Sequence, residues 1–115
     1  MISNLHMSGS FVKVVVTVPV THANTLRKAI GEAGGGKIGD YKHCSFSSTG
    51  TGRFLPQAGA QPAVGKIGEL EEVPEERIEI TIERSVLEEV AKAIRNNHPY
   101  EEIALDVYPL EDIDF

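Results

Sequence analysis

Hydrophobic and polar positions along the chain change period several times, and each change marks an element. Phe11–Val18, FVKVVVTV, is a run of β-branched residues that predicts a buried strand, ended by Pro19. Over Thr21–Ala33 the spacing becomes helical, with Ala23, Leu26, Ala29, Ile30 and Ala33 on one face. Thr21 is the expected N-cap, and Gly34 the expected residue in the left-handed region past the C-terminus. Ile38–Ser48 reads as a second strand: Ile38, Cys44 and Phe46 share one parity, and Tyr41, His43, Ser45 and Ser47 share the other.

Thr49–Gly68 is rich in Gly, Pro and Ala and predicts a long loop, part of which could extend the second strand or form a small hairpin. Arg77–Glu83, RIEITIE, alternates strictly, with Ile78, Ile80 and Ile82 inward. Ser85-x-x-Glu88 has the spacing of a capping box for a second helix carrying Val86, Val90, Ala93 and Ile94 on one face. Asn96–Asn97–His98–Pro99 stops that helix, because the residue before proline avoids the helical region. Ile103, Leu105 and Val107 give a last alternating strand, closed by Pro109.

The order β-α-β-β-α-β predicts an α+β, ferredoxin-like sandwich with both helices on one face of an antiparallel sheet. The other face is then expected to be polar, or covered by another subunit. One domain over 11–110 is expected. Residues 1–10 are read as a disordered leader, with Met7 a second start or the mark of an added segment, and 111–115 as an acidic tail.

The stretch Gly31–Gly39, GEAGGGKIG, spells both G-x-x-x-x-G-K and G-x-G-x-x-G. Both nucleotide patterns require a strand before the turn and a helix N-terminus after it. Here a helix precedes and a strand follows, so the turn meets the negative end of the helix dipole. Ile38 also stands where a magnesium-binding hydroxyl would be needed. The glycines therefore predict a helix cap and a lead into the next strand, not a phosphate cradle.

Composition narrows the classes further. The net charge of −6 opposes non-specific nucleic-acid binding. Fifteen of the seventeen acidic residues lie from Glu69 onward, which leaves Lys37, Lys42 and Arg53 in a nearly acid-free middle suited to a small anion. No apolar run approaches a membrane span, and MISNLHMSGS lacks the basic and long apolar regions of a secretory signal. The single Cys44 excludes an internal disulfide and suits a reducing cytoplasm.

Two long motifs carry a resemblance. Gly39–Phe54, GDYKHCSFSSTGTGRF, and His98–Leu110, HPYEEIALDVYPL, together with VVVTVP and GELEEVPEERIEI, resemble the insert domain of the YqfO-type proteins, a family regarded as dinuclear-metal-binding and hydrolase-like. In that family a PII-like, CutA-like module interrupts the metal-binding domain, and HPYE also resembles the H-x-Y-E segment of CutA proteins. The resemblance covers nearly all of Phe11–Leu110. It implies a stand-alone copy of the insert, a homotrimer built by edge strands with a dimer as second choice, and no hydrolase chemistry, since the flanking domain is absent.

Three functions follow as expectations. The first is a non-catalytic small-ligand-binding or regulatory module, with a cleft between subunits built from Tyr41, His43, Ser45, Thr51, Arg53, His98, Tyr100 and Glu101. The second is a divalent or transition-metal site from His43, His98, Glu101 and Glu102, residues of suitable chemistry without a strong spacing motif. The third is a ligand-free oligomerisation or docking module. An enzyme is disfavoured, because adjacent strand positions point His43 and Cys44 to opposite faces. Each residue also has a plainer role: Cys44 as a small core group, His43 as an interface hydrogen-bonder, His98 as a helix stop. Strand parity places Glu101 on the core face, where it would have to pair with Arg53 or His43, or with a cation.

Overall fold

Alternation in the first strand decides the architecture of the computed structural model, which describes residues 10–113. β1 (Phe11–Pro19) turns Val12, Val14, Val16 and Val18 to one face, and all four are buried. α1 (Ala23–Glu32), β2 (Phe46–Phe54), β3 (Glu71–Glu83), α2 (Leu87–Asn97) and β4 (Leu105–Pro109) follow in sequence. The four strands form an antiparallel sheet in the order β2-β3-β1-β4. Both helices cover its valine face: Leu26 and Ile30 from α1, and Val90 and Ile94 from α2, close the core over Ile78, Ile80 and Ile82. This is the expected ferredoxin-like α+β arrangement.

The opposite face is open and mostly polar. Cross-strand registers place Phe46, Glu79, Val15 and Asp106 in one row of it, and Thr81, Lys13 and Tyr108 in the next. Val15 is buried there beneath its longer neighbours, whereas Phe46 stands 70% exposed.

Several local expectations are corrected. Thr21 does not cap α1; a 3-10 turn, Val20–His22, precedes the helix, and the Thr21 hydroxyl meets His22 Nδ1 at 2.9 Å. A second 3-10 turn, Arg84–Val86, likewise replaces the Ser85 capping box, and α2 begins without a side-chain cap. Gly34 does occupy the left-handed region, at φ +101°. Gly35 N–H donates to Ile30 O and Gly34 N–H to Gly31 O, which is a Schellman close.

The largest correction concerns the second strand. Ile38 and Tyr41 exchange both backbone hydrogen bonds at 2.9 Å across Gly39–Asp40, making a tight hairpin, and β2 begins only at Phe46. Tyr41, His43 and Ser45 therefore lie before the strand, and parity does not govern them. His43 takes φ +59°, and Cys44 is only half-buried, with Sγ near Lys42 O, rather than in the core. β2 then runs through TGTGRF, the extension into the loop that the sequence allowed, and β3 starts at Glu71, earlier than its apolar alternation indicates. The first nine residues, most of the expected leader, and the last two, the end of the expected acidic tail, lie outside the described residues. Ser10, assigned to the leader, joins the fold: its carbonyl accepts from Arg84 N–H, and its hydroxyl donates to Asp112.

The glycine-rich stretch now has a physical explanation. A Cβ on Gly31 would fall 2.0 Å from the His43 ring, and one on Gly36 would fall 2.4 Å from Cys44 O. Gly36 also bonds both ways, donating to Thr81 O and accepting from Cys44 N–H, so it carries the sheet edge beyond β2. Gly36→Ala combines that clash with a φ of +80° and is expected to lower stability by about 1–3 kcal/mol from backbone strain alone. Gly50→Ala, with open space at the Cβ, should stay within about 0.5 kcal/mol of the parent. Urea denaturation of both variants at one protein concentration checks the contrast.

Candidate functional site

β1 outlasts its neighbour β4. Their pairing ends at Val16↔Leu105, although β1 continues to Pro19 alongside β3. The edge of Thr17 would otherwise be bare, and the α2–β4 connector satisfies it. Thr17 N–H donates to Ala104 O at 3.3 Å, and Thr17 O lies 2.7 Å from His98 Nε2. Tyr100 N–H approaches the other ring nitrogen, Nδ1, at 3.1 Å. A backbone N–H can only donate, so Nδ1 accepts and Nε2 carries the proton: His98 is held as one neutral tautomer. Burial lowers its pKa; the Thr17 bond and the Glu75 charge oppose that shift, and His22 adds to it.

From this anchor the connector crosses toward the open face and delivers Tyr100. Its hydroxyl donates to Glu75 Oε2 at 2.8 Å, and Glu75 is buried. Burial first, and Glu75 second, push the phenol's ionisation upward, so it stays a donor. The ring meets Phe54 edge-on at 5.6 Å between centroids and lies 5.1 Å from the His98 ring. Gly52 makes the Glu75 position possible, since a Cβ there would sit 2.2 Å from its carboxylate. Glycine inside a strand often marks such a close approach.

Beyond Pro19, the paired ends of β2 and β3 project as a two-stranded ribbon, with Phe54 opposite Glu71. The 55–70 loop closes back on itself through Gly68 N–H to Pro56 O, and onto the connector through Gln61 N–H to Glu101 Oε2 at 2.8 Å. Beneath it lies a cavity of about 210 Å³ walled by Phe54, Pro56, Pro62, Val64 and Tyr100, with Glu101 and Glu102 also lining it. A second hollow of about 270 Å³, on the open face, is lined by Thr17, Thr51, Gly52, Glu75 and Arg77.

The sequence-predicted residues thus separate into two groups. Thr51, Arg53, His98, Tyr100 and Glu101 gather around the ribbon end. Tyr41, His43 and Ser45 lie toward the other end of the sheet, beside the C-terminus of α1. Glu101 is exposed and precedes β4, so the inward orientation inferred from parity is corrected. It bonds the loop backbone, not Arg53 or His43; Arg53 pairs with Glu72 at 2.9 Å. His98 and His43 do not meet within one protomer, and among the described residues no group of three or more His, Cys, Asp or Glu could hold a metal ion. The sequence reading missed Glu75, Phe54 and Pro56. The signals available were glycines inside FSSTGTGRF and a proline inside EEVPEERIEI, both of which mark an exposed edge rather than a loop.

No protein-family model matches the chain. Over 99 residues it is 48% identical to the GTP cyclohydrolase 1 type 2 homolog of Bacillus subtilis, and over 98 residues 47% identical to that of Mycobacterium tuberculosis. The matches cover 86% and 85% of this chain but 26% of each relative, so the chain spans about a quarter of the length of the curated relatives it matches. Among solved structures, a Bacillus cereus protein related to NIF3 superposes with a TM-score of 0.78 at 54% identity, over 90% of this chain and 26% of that one. The divalent cation tolerance protein CutA of Archaeoglobus fulgidus superposes with a TM-score of 0.66 at 15% identity, over 90% and 87% of the two chains. Bacillus subtilis GlnK, in its ATP complex, gives 0.61 at 18%, over 90% and 84%. The last two likenesses establish the fold, and no more. No helix among the described residues is long and apolar enough to cross a membrane.

Two outcomes test the wiring at the ribbon end. Tyr100→Phe removes the donor that faces buried Glu75 and should cost about 1–3 kcal/mol, read by urea denaturation. His98 sets a pH dependence of definite sign. Its folded pKa lies below the unfolded value of about 6.5. The unfolded chain therefore binds the proton first, and this contribution, full above about pH 6.5, is lost as pH falls through the folded pKa. The stability gap between the parent and His98→Gln should narrow over that range in a pH series of unfolding curves.

Proposed function

We propose that the chain is a non-catalytic, PII-like and CutA-like module that binds a small ligand as a cytoplasmic homo-oligomer, a trimer in preference to a dimer. The observation that carries this reading is the anchoring of the 55–70 loop to Glu101 through Gln61 N–H, beside a hollow of about 210 Å³ walled by the loop and Tyr100. Long loops with their own internal bonding in a small domain are commonly functional. The two ring-bearing polar side chains of the connector have structural partners. Both His98 ring nitrogens are engaged with backbone, and the Tyr100 hydroxyl is committed to Glu75. Such groups position a wall; they are poorly placed to move protons. The cyclohydrolase wording belongs to relatives of which this chain matches 26%, and we assign it no catalytic step.

Oligomerisation has a separate support. The two groups of candidate residues sit toward opposite ends of one protomer, so a single cleft can contain both only if a second copy supplies one of them. Native mass spectrometry of the purified chain, alone and then with zinc, copper or ATP, tests the reading. A trimer gaining ligand mass in multiples of three is the expected result. A monomer at micromolar concentration overturns the intersubunit cleft. A bare oligomer under every condition, with no thermal shift across a metabolite panel, replaces ligand binding by a docking role.

A further inference from the structure

We infer that the cavity beneath the 55–70 loop is selective for a small organic cation, an ammonium group carried on an apolar body. The inference rests on the ligand-binding reading above and names the ligand class for that hollow. Size comes first. A cavity volume of about 210 Å³ lies below the roughly 300–1,000 Å³ usual for drug-sized ligands and suits a smaller molecule. Chemistry comes second. The walls are apolar, and two of them are aromatic, Phe54 and Tyr100. Tyr100 cannot donate its hydroxyl proton to a ligand, since that proton is given to Glu75, which leaves the oxygen as an acceptor only.

Charge decides the sign. Glu101 and Glu102 are the charged residues that line the cavity, and no Lys or Arg lines it. The nearest cation along β2, Arg53, is already paired with Glu72. Only one oxygen of Glu101 is occupied by Gln61 N–H, which leaves the other oxygen and the Glu102 carboxylate able to accept from an ammonium. With no basic residue lining the cavity to offset these two carboxylates, an anion is disfavoured and a cation favoured, although their exposure to solvent screens the effect. An aromatic wall beside acidic groups also supports a cation through the ring quadrupole.

Three probes of nearly equal shape and different charge separate the possibilities: phenethylamine, phenethyl alcohol and phenylacetate. Each is titrated into the ¹⁵N-labelled full chain at neutral pH while amide shifts are followed. Phenethylamine is expected to shift amides of residues 54–64 and 100–102 and to bind at least tenfold more tightly than the alcohol, with phenylacetate weakest. Glu101→Gln combined with Glu102→Gln should erase the preference for the amine while leaving the spectrum folded, since a glutamine oxygen at 101 can still accept from Gln61. Equal affinity for amine and alcohol, tighter binding of phenylacetate, or shifts confined to other residues each overturn the inference. So does an absence of shifts with all three probes. If zinc, copper or ATP binds in native mass spectrometry while the amine does not, the ligand-binding reading stands and the cation assignment alone falls.

Discussion

A strand that outruns its neighbour leaves backbone groups that must find partners, and the top of β1 presents that problem at Thr17. An edge N–H and C=O buried without partners would each cost on the order of a kcal/mol or more. The molecule answers with the connector after α2. His98 reaches Thr17 O, and Ala104 O receives Thr17 N–H. Satisfying that edge fixes the path of residues 98–104, and the path fixes where Tyr100 arrives. Tyr100 in turn holds buried Glu75 and meets Phe54, the root of the long loop, edge-on. A chain of local requirements thus links one unpaired strand edge to the shape of the cavity.

The apolar core was legible in the sequence because burial imposes a period. The valines of β1, the isoleucines of β3 and the faces of both helices alternate as the solvent boundary demands, and the ferredoxin-like order follows from them. β2 was not legible in that way. FSSTGTGRF lies at the sheet edge, largely exposed, and is held by its ladder to β3 rather than by an apolar face. Without burial there is no periodicity to read. The preceding segment misled for a related reason. Ile38, Cys44 and Phe46 share parity by chance, whereas Gly39–Asp40 between two larger residues is a hairpin turn, and it is the turn that the backbone obeys.

The candidate site was legible by residue type and illegible by geometry. HPYEE drew attention because a histidine, a tyrosine and two acids follow a helix stop, and His98, Tyr100 and Glu101 do share one region. Their partners lie far away in sequence. Thr17 is 81 positions from His98, and Glu75 is 25 from Tyr100, so neither bond leaves a local spacing to recognise. The glycines carried the missing information in coded form. Gly52 and Gly36 mark where another group must approach the backbone, and only the fold reveals which group it is.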